Sequence, residues 1–150
     1  MNDLRPFSAW RWVYAVTIGL FLIINVATAS RSPIIWVDEV RMNLPAMNFL
    51  DGKGLTDFPT SGGDGRFYGG YGLLGVLLQI PWMAVFGRDI VAVRSINFFL
   101  VLITAFAISN GARRHGLLGT REGAFLCFLL IILSNGIAFN YRSGRTDVSM

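Results

Sequence analysis

Trp12-Val13-Tyr14-Ala15-Val16-Thr17-Ile18-Gly19-Leu20-Phe21-Leu22-Ile23-Ile24-Asn25-Val26-Ala27-Thr28-Ala29 carries no charge over eighteen residues. As an α-helix it would extend about 27 Å, close to the thickness of a bilayer's hydrocarbon core. Trp10, Trp12 and Tyr14 gather at its start, where amphipathic rings favour a membrane interface. Ala27-Thr28-Ala29 has the small-residue look of a signal-peptide cleavage site, but the run exceeds the usual apolar core of such peptides. With further apolar runs downstream, the expectation is an uncleaved first span over 12–29.

Composition agrees. The chain has 150 residues, 53% hydrophobic and only 15% charged, with a mean hydropathy of +0.54. Average soluble domains carry roughly 25% charged residues. The formal charge of +4 is dispersed. No basic patch with interleaved aromatics is present, which argues against nucleic acid as a partner. The single cysteine, Cys127, excludes an intrachain disulfide, and the single histidine, His115, excludes a His-rich metal site.

Beyond the first run stands Trp36-Val37-Asp38-Glu39-Val40-Arg41. Val37, Val40, Leu44, Met47 and Leu50 recur at helical spacing, with Asp38 suited to cap the start and Gly52 the end. Pro45 predicts a kink or a split. A one-sided helix directly after a span is expected to lie along the membrane surface. Residues 51–66 read as a loop rich in Gly, Asp and Thr. In 71–87, Gly75 and its neighbours, Gln79 and Pro81 interrupt the apolar run, which predicts a re-entrant or interfacial pair of short helices. Ser95–Ala112 and Gly123–Phe139 read as the second and third spans, and the three spans contain no Asp, Glu, Lys, Arg or His.

The loop Arg113-Arg114-His115-Gly116-Leu117-Leu118-Gly119-Thr120-Arg121-Glu122 sets the orientation. If 71–87 does not cross, residues 1–11 and 112–122 share the cytoplasmic side with five Lys/Arg in 22 residues, against eight in 76 in the outer segments 30–94 and 140–150. This obeys the positive-inside rule; a crossing at 71–87 would violate it. The expected fold is therefore an all-α membrane protein, with three transmembrane helices and interfacial helices in a first outer loop over 30–94. The final residues do not close the chain with a cap or polar tail, so it reads as the amino-terminal part of a longer protein.

This orientation gathers candidate chemistry on the outer face. Asp38 and Glu39 serve equally as helix-start residues or as a base and its partner, a carboxylate there being able to deprotonate an acceptor hydroxyl. Arg142-Ser143-Gly144-Arg145-Thr146-Asp147 reads either as a capping loop or as a cation–carboxylate group, whose Arg142 and Arg145 could hold a departing phosphate. Gly62-Gly63-Asp64-Gly65-Arg66 lacks the setting of a phosphate-binding P-loop and reads first as a flexible loop. Arg88 and Asp89 read as interfacial anchors or an ion pair, and Arg94 heads the second span.

The order of these elements resembles the GT-C superfamily of integral-membrane glycosyltransferases, nearest to the aminoarabinose transferases, the protein O-mannosyltransferases and related bacterial lipopolysaccharide-sugar transferases. The resemblance is carried by the Asp38-Glu39 pair after the first span, NFLDGKGLT (48–56), YGLLGVLLQIPWMAVFGRD (71–89), VAVRSINFFLVLITAFAI (91–108) and RSGRTDVSM (142–150), and it covers nearly the whole chain. It implies transfer of a sugar from a polyprenyl-phosphate donor to a glycan, lipid or protein acceptor at the outer face of a bacterial inner membrane, with the amino terminus cytoplasmic. On this reading Asp38 is the general base, Glu39 and Asp147 orient the acceptor or a divalent ion, and Arg66, Arg142 and Arg145 offset charge on the lipid phosphate. The cofactor is left unknown. The Lys-Pro pair of the aminoarabinose branch is replaced here by Tyr68-Gly69-Gly70-Tyr71. The alternative from a different class is a small non-enzymatic membrane protein with a scaffold or transport-associated role.

Overall fold

A computed structural model describes residues 7–33, 35, 37–56 and 73–142. The regular elements among them are all helices: α1 Phe7–Thr28, α2 Val37–Leu50, α3 Leu73–Phe86, α4 Ile90–Arg114, α5 Arg121–Leu133 and α6 Asn135–Arg142. Two are long and apolar enough to cross a membrane, α1 over Ala9–Thr28 and α4 over its full 25 residues.

α4 is the hub. One side joins α1 and α5 through Phe21, Phe98, Val101, Leu102, Ala105, Phe128 and Ile132. The other meets α2 and α3 through Ala46, Val76, Met83 and Val93. Small residues such as Ala46 and Ala105, both fully buried, allow close approach of the helices at these contacts.

Local chemistry explains the ends. Asp89 caps α4, its Oδ1 accepting from the Ala92 N–H at 2.8 Å, and Thr120 caps α5, accepting from the Gly123 N–H at 3.1 Å. Gly52 closes α2 as expected. It has a φ of 75°, with Lys53 N–H donating to Asn48 O at 2.9 Å and Gly52 N–H to Phe49 O at 3.0 Å. Gly116 closes α4 in the same manner, with Leu117 N–H donating to Ala112 O.

Four expectations are corrected. First, the third span, 123–139, is not one helix. Ser134, at φ −60° and ψ 123°, leaves the helical region and divides it into 13-residue α5 and 8-residue α6. Its N–H still donates to Ile131 O and its carbonyl accepts from Ala138 N–H, so the break leaves neither backbone group bare. Second, α3 is a single helix that carries Pro81 internally, as α2 carries Pro45. At 14 residues α3 is about 21 Å long, shorter than a hydrocarbon core. Third, α2 does not lie on an apolar stripe alone. Its most buried residues include Glu39, Asn43 and Asn48, while Leu44, Met47 and Leu50 are half-buried. Fourth, α4 starts at Ile90, which puts Arg94 inside an apolar helix rather than ahead of it.

The corner between α2 and α4 is tied by Asp51, which accepts from Arg88 and, at 3.4 Å, from Lys53. Arg88's hydrogen bond holds the exposed Asp51 carboxyl below its ordinary range. A lowered folded-state value stabilises above the unfolded value, and that contribution disappears as pH falls through the folded one. Asp51→Asn should therefore lower the thermal midpoint slightly at neutral pH and leave it unchanged in acid, as read by circular dichroism in detergent. Phe128 is wholly buried. Phe128→Ala should cost about 3 kcal/mol in denaturant titrations of the same sample.

Candidate functional site

The residues singled out around Asp38 meet a buried ion pair. Glu39 on α2 is 1% exposed and Arg94 on α4 is 0% exposed. Arg94 Nε donates to Glu39 Oε1 at 2.7 Å and a terminal nitrogen donates to Glu39 Oε2 at 2.8 Å. This two-pronged match of planar groups is the strong form of a carboxylate–guanidinium contact. The other terminal nitrogen donates to the Ala29 carbonyl, just past the end of α1. One guanidinium thus joins three segments separated by 55 and 65 positions in sequence.

Each partner is positioned by its helix. Arg94 lies in the second turn of α4, whose start Asp89 fixes. Glu39 lies in the first turn of α2, and Asn43 one turn on donates its side-chain amide to the Glu39 carbonyl. Burying either charge alone would be costly; together, with the Ala29 carbonyl taking another donor, the charge is offset internally.

Asp38 is the second residue of α2, one position before Glu39, so the helix starts one residue earlier than the expected cap. The Asp38 side chain lies outside the described residues, as do Arg66, Arg145 and Asp147. Arg142, at the end of α6, donates to Thr28 Oγ1 at 2.7 Å and to the Ser32 carbonyl at 3.2 Å. It therefore comes to the same end of α1 as the ion pair. Glu39, expected beside Asp38 as an acceptor- or ion-orienting acid, faces inward to Arg94. Among the described residues no three His, Cys, Asp or Glu side chains gather as a metal site.

The pair was not legible in the sequence, which reads Arg94 as heading the second span, whereas the structure places it inside α4. The structure also orders the two ends of the bundle. Ala29, Glu39, Arg94 and Arg142 meet at one end. At the other, Trp10 and Tyr14 of α1 pack on Phe125 of α5, and Tyr14 also on Phe106 of α4. This pattern runs α4 antiparallel to α1.

Comparison with family models, with curated proteins and with solved structures finds no match.

Either Glu39→Ala or Arg94→Ala should destabilise the fold by roughly 3–5 kcal/mol, because each strands a buried charge. The double change Glu39→Leu with Arg94→Met should recover most of that loss. Denaturant titration of all three in detergent checks it; single variants indistinguishable from wild type would contradict the assignment.

Proposed function

We propose that this chain belongs to a membrane-embedded glycosyltransferase of the GT-C type. α1 and α4 cross the bilayer, and α5 and α6 make a third crossing together. Much of α1 supports this placement: Trp12, Val16, Leu20, Ile23 and Ile24 are all exposed, a surface suited to lipid rather than water. A non-helical residue at membrane depth is tolerated where its backbone groups stay bonded, as at Ser134. α2 and α3 belong to the outer side with the first loop.

The observation that carries the functional reading is the Glu39–Arg94–Ala29 junction. It fixes the first turn of α2, which carries Asp38, against the outer end of α1 and the start of α4. A base works only when held within hydrogen-bond reach of the proton it removes, so a rigid support under Asp38 fits this chemistry. Asp38 would take the proton from an acceptor hydroxyl while that oxygen attacks the sugar carbon. The bond from sugar to polyprenyl phosphate breaks, and the lipid phosphate leaves as an anion. Glu39 is then a positioning residue, acting through Arg94. Arg142 brings cationic charge to this end, and Arg66, Arg145 and Asp147 complete the proposed set.

In the membrane-bound protein that carries this chain, Asp38→Asn should lower the transfer rate about 10²–10⁴-fold at unchanged abundance and unchanged KM for a polyprenyl-phosphate sugar. The residual rate should lose its dependence on the ionisation of that carboxylate. A wild-type rate for Asp38→Asn overturns the proposal.

A further inference from the structure

At the ion-pair end of the bundle, α1, α3 and α4 leave an open cleft of about 290 Å³. Val26 of α1, Trp82 and Phe86 of α3, and Ser95 and Phe99 of α4 line it, with Asp89 at the α3–α4 corner. Its walls are held in place. The Trp82 indole N–H donates to Ala92 O at 3.1 Å and to Ser95 Oγ at 2.9 Å. Its ring packs on Phe86 and Phe99, with centroids 4.4 and 5.2 Å away. Val26, Phe86 and Phe99 stay 42%, 58% and 40% exposed, so the apolar surface is open to an occupant. Asp89 Oδ1 caps α4, which fixes the carboxylate at the exposed corner where Arg88 joins Asp51. A carboxylate has about four acceptor positions, and the cap takes one.

We propose that this cleft holds an aminophospholipid, its primary ammonium on Asp89 and one acyl chain along Val26, Trp82 and Phe99. The inference rests on the membrane placement above, not on glycosyl transfer. The cleft has the polarity of an amphiphile. Asp89 stands just before the start of α4, and Phe99 lies about 15 Å further along that helix. With α4 crossing the bilayer, Asp89 falls at headgroup level and Phe99 among the acyl chains. A small polar solute would leave the aromatic wall unused, and a plain hydrocarbon would press apolar atoms on a carboxylate. Charge decides the head. A carboxylate attracts a cation and repels a headgroup of net negative charge. Among lipid cations, a primary ammonium donates hydrogen bonds to a carboxylate, whereas a trimethylammonium has no N–H to give. The order of preference therefore runs from phosphatidylethanolamine through phosphatidylcholine to phosphatidylglycerol.

The test is native mass spectrometry of the detergent-purified chain, incubated with the dioleoyl forms of those three lipids. Asp89→Asn removes the charge and keeps a residue that caps a helix equally well, so the fold is preserved. Asp51→Asn removes a carboxylate from the same corner but outside the cleft lining. The expected result is roughly ten-fold stronger retention of phosphatidylethanolamine than of phosphatidylcholine. That preference should vanish in Asp89→Asn and persist in Asp51→Asn, while Phe99→Ala should weaken all three lipids without changing their order. Helical circular dichroism of each variant separates lost binding from lost folding. Equal retention of the three lipids, an unchanged preference in Asp89→Asn, or full displacement by free ethanolamine would overturn the proposal. Carbonate extraction of membranes tests the placement separately. A chain released as soluble protein overturns the placement and the site together, while a retained chain that shows no lipid preference overturns the site alone.

Discussion

The contact on which the rest of the structure depends is the guanidinium of Arg94. It lies inside an apolar helix, fully buried, and has no route to water. Such a charge is tolerated only if its donors are matched, and the matches come from two other segments: both carboxylate oxygens of Glu39 and the carbonyl of Ala29. The requirement dictates where α2 begins and which of its faces turns inward. It also brings the end of α1 to the start of α4, so the crossing of those helices and the seating of α2 share a single origin.

A consequence is that the two ends of the bundle differ in kind. One is built from polar contacts: the buried ion pair, the Asn43 amide on the Glu39 carbonyl, and the half-buried Arg142 on Thr28 and Ser32. The other is built from tilted and edge-on rings of Trp10, Tyr14, Phe106 and Phe125, with arginines around an open cleft. In the proposed placement the first end faces outward and presents the helix that carries Asp38. In that placement the second faces the opposite side. α4 connects the two, with Phe98, Val101, Leu102 and Ala105 filling the space between.

Much of this was visible in the chain itself. The uncharged run over 12–29 appears as the greater part of α1, and Gly52 ends α2 through its positive φ. What escaped had local causes. Hydropathy cannot see the break at Ser134, because a serine–asparagine–glycine sequence in an apolar run changes the average little while its backbone leaves the helix. Pro81 read as a breaker and Pro45 as a kink or a split, yet neither interrupts its helix. The inward turn of Glu39 required knowing that Arg94, 55 positions away, would sit inside its helix. A period-based reading took Val37, Val40, Leu44, Met47 and Leu50 as the apolar stripe, because it counts apolar residues and cannot see that Glu39 would be buried while Leu44, Met47 and Leu50 are only half-buried.

The central claim is that Ala29, the start of α2 and Arg94 form one outer end, with the basic loop at the other. Single cysteines at Ser30 and at Leu117, both exposed positions, can be placed in a Cys127→Ala background. Labelling intact cells with a membrane-impermeant maleimide then reads the two ends directly. The account predicts that Ser30→Cys labels from outside and that Leu117→Cys labels only after the membrane is permeabilised. Labelling of both positions from the same side would contradict it.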